Sequence, residues 1–128
     1  MIKHFRTILL IIIVSQTNCF SQENKILKPK GIYLFSIESC AGFQFNNDDS
    51  LTFINEIGCS PFELRLKWID ENTFIAIEKE RTEDKFPPRV YVYRILISDG
   101  KKLVLKEFDT SWDSTAKDGK ITVYKKLN

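Results

Sequence analysis

From residue 22 onward the chain reads as an all-β protein, an antiparallel up-and-down meander of about eight strands closing into a small barrel. Three observations predict this. Apolar and polar residues alternate from Gly31 to Lys126 with no helical period. Turn residues recur at short intervals, and the connections leave no room for a crossover helix, so sequential strands pair antiparallel. Closure then removes the exposed edges. A two-sheet β-sandwich is the alternative. Strands this short imply an interior filled largely by side chains.

The elements follow in order. Residues 31–37 form the first strand, apolar on both faces, with Ile32 and Leu34 on one and Tyr33, Phe35 and Ile37 on the other. Residues 43–46 and 51–57 flank the turn cluster Asn47-Asp48-Asp49-Ser50. Pairing them about Asp49-Ser50 sets residue 43 opposite 56, 45 opposite 54 and Cys40 opposite Cys59, with a slip of one residue left open. Gly58-Cys59-Ser60-Pro61 turns the chain again. Residues 62–69 then alternate most clearly: Phe62, Leu64, Leu66 and Trp68 share one face, and Glu63, Arg65 and Lys67 the other, as a half-buried strand requires. Leu64, Leu66 and Trp68 are expected to be buried. After Asp70-Glu71-Asn72, residues 73–80 set Phe74 and Ala76 against Ile75 and Ile77. The charged loop 81–88 leads to a strand over 89–98. Asp99-Gly100 is a hairpin turn, because glycine tolerates the positive φ such turns demand. Residues 102–109, a polar loop and a last strand over 120–126 complete the chain.

Ahead of the barrel, Lys3, His4 and Arg6 precede seven apolar residues at 8–14 and then Cys19-Phe20-Ser21. A basic region, an apolar region and a small-residue cleavage site, in that order, make residues 1–21 a secretory signal and residues 22–128 the domain. Seven apolar residues fall far short of the roughly twenty that span a bilayer. The expected location is secreted or periplasmic. A lipid-modified Cys19 would instead tether the protein to a membrane, but Gln16 and Asn18 match such a signal poorly. The intact mass of the exported protein should begin at Gln22; a start at Met1, or a diacylated Cys19, would contradict this.

Loss of the signal removes Lys3 and Arg6 from nineteen basic residues and leaves seventeen against seventeen acidic ones. A neutral chain generates no overall field to gather nucleic acid or an anionic membrane, so no nucleic-acid partner is expected. His4, the only histidine, leaves as well, and with it the commonest general base and transition-metal ligand. Cys40 and Cys59 remain. In an oxidising compartment they are expected to form a disulfide whose loop of about twenty residues stabilises the fold by ~3 kcal/mol. Two buried thiols are the alternative. No metal or cofactor is expected, because two sulfurs without histidine make a poor zinc site.

Few residues carry chemistry. Asp48-Asp49 sits in a turn that lacks the spaced oxygens of a calcium loop. Residues 81–85 are a mixed charge run, read as a solvated loop. No nucleophile elbow, phosphate loop or metal spacing occurs, and the protein is expected not to be an enzyme. Three features are candidate binding elements. Trp112 stands in a polar loop, either capping the barrel or anchoring a partner. Phe86-Pro87-Pro88 is a stiff apolar knuckle, or a lid on one barrel end. Tyr91 and Tyr93 share one face of a strand that carries Val90, Val92 and Arg94 on the other. With the tyrosines inward Arg94 is solvated; with them outward it enters the barrel and needs a partner.

This order of elements resembles the lipocalin-like domain of small secreted bacterial proteins, a calycin-like β-barrel. The residues that carry the resemblance are Gly31-Ile32-Tyr33, Cys40, Phe43-Gln44-Phe45, Cys59, Lys67-Trp68, Asn72-Thr73, Ile97-Ser98-Asp99, Leu103-Val104-Leu105 and Tyr124-Lys125-Lys126. Tyr33 stands where the family usually has tryptophan. The resemblance implies a barrel, and an arginine stacked on the first-strand aromatic, here Arg94 over Tyr33. The expected function is a non-catalytic binding domain that takes a small apolar ligand at the barrel mouth near Trp112 and Phe86. The alternative is a protein-binding domain, such as a periplasmic inhibitor, that uses its loop aromatics. Interior volume separates them: a carrier needs a cavity of ~300 Å³ or more, whereas a filled barrel with Trp112 exposed favours the inhibitor.

Overall fold

The computed structural model describes residues 26–128 apart from 81–83, 112–114 and 116–118. Eight strands follow one another: β1 (Gly31–Leu34), β2 (Gly42–Asn47), β3 (Ser50–Ile54), β4 (Pro61–Trp68), β5 (Thr73–Glu78), β6 (Val90–Ser98), β7 (Lys102–Phe108) and β8 (Lys120–Lys126). Each pairs antiparallel with the next, and β8 pairs with β1, so the sheet is a closed up-and-down barrel. No helix occurs among the described residues.

Strand alternation decides what enters the barrel. Tyr33, Phe43, Phe45, Leu51, Leu64, Leu66, Phe74, Ala76, Tyr93, Ile95, Leu103 and Leu105 form one buried cluster. The rings interlock at tilted and edge-on angles, Phe43 against Phe53 at 5.4 Å and Phe45 against Phe74 at 5.8 Å between centroids. Such pairs add ~0.5–1.5 kcal/mol each beyond the area they bury. The interior is therefore packed with side chains. Of the three residues expected inside on β4, Leu64 and Leu66 are buried, while Trp68 is half-buried at the barrel rim. Alternation specifies a residue's face but not its depth along the barrel.

The two ends differ. At one, the strands are joined by tight turns around residues 48–49, 69–72 and 99–101. At the other lie the longer connections 35–41, 55–60, 79–89 and 109–119. The Cys40–Cys59 disulfide joins the first two of these, with Cα atoms 5.7 Å apart, and is compatible with an oxidising, exported environment.

The β2–β3 register corrects the sequence reading. Phe43 faces Phe53 and Phe45 faces Leu51, not residues 56 and 54. The turn is tighter than expected: Asn47 pairs with Ser50, a bulge follows Phe45, and the Asn47 side chain accepts a hydrogen bond from the Asp49 N–H at 2.9 Å. A shift of three residues reverses the faces, which carries Leu51 and Phe53 inward in place of Ile54 and Glu56. The disulfide forms by a different route from the one expected. Residues 55–60 double back, with Gly58 and Cys59 both in the left-handed region and the Asn55 N–H donating to the Ser60 carbonyl at 3.0 Å. This returns Cys59 to Cys40.

Gly42 is required by the approach of β1. A Cβ there would collide with the Tyr33 carbonyl oxygen and lie 2.9 Å from Leu34 Cα. Both are backbone atoms in a paired strand and cannot swing aside. Gly42→Ala should cost about 1–3 kcal/mol, read as a lowered urea midpoint; an unchanged midpoint would show that the two strands can separate freely.

Candidate binding site at the short-loop end of the barrel

Before β1, the chain crosses the short-loop end as a strap. Ile26 packs on the core, Pro29 is buried, and the Leu27 N–H donates to the Ser98 carbonyl at 3.1 Å. The Tyr33 phenol, inside the barrel, hydrogen-bonds the backbone of Lys30. Gly31, with φ of 87°, turns the strap into β1, a conformation that L side chains resist.

A pocket of about 540 Å³ lies beneath this strap, between it and the ends of β2 and β4. Phe45, Leu66 and Trp68 supply apolar surface, Asn46 and Asn47 supply amides, and Lys28, Lys30 and Asp48 supply charges. The Lys28 ammonium sits 5.0 Å from the centre of the Trp68 ring, a cation–π contact. The indole Nε1–H of Trp68 is buried without a hydrogen-bond partner among the described residues. A buried donor left unpaired costs ~1–3 kcal/mol. The site thus offers an aromatic wall, two amides, two cations and one carboxylate.

The candidate residues named from the sequence that the structure describes lie elsewhere. Tyr91 and Tyr93 point inward, their rings stacked at 6.5 Å, and belong to the packed interior. Arg94 points outward, where its guanidinium lies 5.4 Å from the Phe108 ring. This corrects the expected stacking over Tyr33. Tyr33 is enclosed by the barrel, and an unpaired guanidinium beside it would be too costly to desolvate. Phe86 is exposed on connection 79–89, at the end opposite the pocket. Trp112 lies outside the described residues. The sequence reading missed Lys28 and Lys30, which precede its first strand at 31–37. The available signal was Lys28-Pro29-Lys30, a stiffened cationic segment, together with a tryptophan ending the most regular inward-facing run.

The buried tyrosines give the barrel an alkaline limit. Burial, and secondarily the Glu107 carboxylate, push the Tyr124 phenol up to about 12 and raise Tyr93 in the same direction. A folded-state pKa above the unfolded value of about 10 means that this stability is fully present below pH ~10 and is lost as pH rises through ~12. Tyr124→Phe should remove part of that loss, of order 2 kcal/mol. Urea titrations in neutral buffer and near pH ~11 would show it; equal alkaline losses in both proteins would refute it.

A closed, eight-stranded antiparallel barrel is consistent with a calycin-like architecture. No family model, no curated protein and no solved structure matches the chain.

Proposed function

We propose that this is an exported, non-catalytic, lipocalin-like binding domain whose ligand enters the pocket under the 26–30 strap. The observation that carries the reading is a pocket of about 540 Å³ between the strap and the barrel end, walled by Trp68, Phe45 and Leu66. That volume falls in the range of small-molecule sites. The chemistry favours an amphipathic anion: an apolar body against Trp68, and an acidic head toward Lys28 and Lys30. Export is supported by the signal-like order of residues 1–21 and by the disulfide.

Titration with laurate, followed by tryptophan fluorescence in a Trp112→Phe background so that Trp68 reports alone, tests the proposal. Saturable binding is expected, with dodecanol weaker than laurate. Measured by isothermal titration calorimetry, which needs no tryptophan reporter, Trp68→Ala should weaken binding ~10-fold or more, as loss of an aromatic anchor does. Absence of a saturable signal, or equal affinity in Trp68→Ala, would count against it.

One observation favours a second reading. Ile37 and Ile57, on the two disulfide-joined connections, are 85 % and 81 % exposed, and Phe35, Phe62 and Phe86 are exposed at the same end. Apolar loops held rigid by a cross-link suit a protein partner. Native mass spectrometry of protein purified from its own host separates the two. A retained small molecule supports the first reading, and a stoichiometric protein lost on Ile37→Ser/Ile57→Ser supports the second.

A further inference from the structure

Charge neutrality over residues 22–128 conceals a separation of charge on the barrel wall. Across the outer face of β6, β7 and β8 the register sets Arg94, Lys106 and Ile121 in one row. Ile97, Val104 and Val123 form the next, with Val104 itself buried between its neighbours, and Lys102 with Lys125 the one beyond. Lys102 thus directly opposes Lys125, and Arg94 directly opposes Lys106. Like charges in directly opposed positions destabilise a sheet. None of these four cations makes an ion pair among the described residues, where the ion pairs are Lys79–Glu63 and Arg89–Glu78. Asp70 and Asp99 sit in turns at the short-loop end, where they feel Arg94 and Lys102 respectively. Between the two basic rows runs an aliphatic row. Ile97 and Val123 are 40 % and 48 % exposed, and neighbouring Ile121 is 59 % exposed.

We propose that this face docks on an anionic phospholipid bilayer. Asp70 and Asp99 offset part of the repulsion at the short-loop end, and an anionic surface outside the molecule would relieve the rest, at both cross-strand positions at once. Exposed aliphatic side chains between the cations call for a surface that is also apolar. A bilayer interface supplies both: Ile97, Val123 and Ile121 reach the acyl boundary while the lysine and arginine stems extend to the phosphates. A nucleic acid would find no free aromatic for stacking, since Phe108, half-buried, already carries Arg94 and Lys106 over its ring. The proposal is independent of the pocket and does not need a lipid on Cys19.

The test is co-sedimentation of the exported protein with vesicles of phosphatidylglycerol and phosphatidylcholine in equal parts, against vesicles of phosphatidylcholine alone. Binding to the anionic vesicles only, released by added salt, is expected. A cation at such a surface contributes about five-fold, so Lys102→Glu/Lys125→Glu should lower partitioning ~100-fold or more. Ile97→Asn/Val123→Asn, with every charge kept, should lower it ~10-fold. Single Lys125→Glu sets opposite charges face to face with Lys102 and should raise the melting temperature while still weakening binding, so lost binding is not lost folding. The proposal is overturned by absence of sedimentation, or by equal binding to neutral vesicles, as an acylated Cys19 would give. It is also overturned if either double variant binds undiminished, which for the aliphatic pair would mean a charge-only attraction to any polyanion. Light scattering that shows these same residues joining two copies of the chain in place of the vesicle would overturn it too.

Discussion

Phe43→Ala should lower the free energy of unfolding by about 3–5 kcal/mol, the largest single-residue effect expected here. Phe43 is 1 % exposed and reaches across the barrel to rings on three other strands: Phe53 at 5.4 Å, Tyr93 at 5.5 Å and Tyr124 at 5.2 Å. Those rings are borne by β3, β6 and β8, each fixed by hydrogen bonds on both sides. They cannot collapse into the space, so the cost includes a residual cavity as well as lost transfer energy. Against a total stability of roughly 5–15 kcal/mol, the variant is at best marginal near body temperature. Phe43→Leu, which keeps most of the volume, should recover much of the loss. Urea denaturation at neutral pH measures both, and a change below ~1 kcal/mol for the alanine variant would mean that the ring cluster does not hold the barrel together.

Removing the disulfide should cost about 3 kcal/mol, for a different reason. Cys40 and Cys59 are 19 residues apart and join two connections at the open rim. The apolar residues beside them, Ile37 and Ile57, are already exposed, so little buried area is lost with the bond. The stabilisation comes mainly from restricting the unfolded chain. Cys40→Ala/Cys59→Ala should therefore lower the urea midpoint and steepen the urea dependence, because the unfolded chain exposes more surface once it is free of the cross-link. The pocket lies at the opposite end, so the folded variant should bind laurate unchanged. An unaltered midpoint would refute the stabilising role, and lost binding would show that the two ends are coupled.

Much of the fold was legible in the sequence because the barrel rests on a period of two. Residues 62–69 showed their inner face in Leu64 and Leu66, residues 73–80 in Phe74 and Ala76, and residues 120–126 matched β8 at both bounds. The hairpin at 47–50 was misread because sequence gives a turn's neighbourhood more readily than its length. A shorter turn and a bulge together moved the pairing by three residues, and an odd shift exchanges the face that is buried. The outward placement of Arg94 depended on which of two apolar faces of β6 met the core, and both faces were apolar in sequence. Only the neighbouring rings, Phe43 and Phe74 against Tyr93, decide that contest.

The site was less legible. Trp68 was assigned to the correct face, but its position at the rim, beneath Lys28, depends on where the strap before β1 crosses the barrel. That crossing is made by contacts remote in sequence, Leu27 to Ser98 and Tyr33 to Lys30 among them. The basic face on β6–β8 was likewise invisible in a balanced total, since charges on three strands become neighbours only through register. By itself the sequence determined what is local and periodic: the strands, their inward residues, the two cysteines free to pair, and the order of the meander. Tertiary structure alone decided which side chains from distant strands share an end or a wall of the barrel. Closure brings together residues far apart along the chain, and no local pattern encodes that proximity.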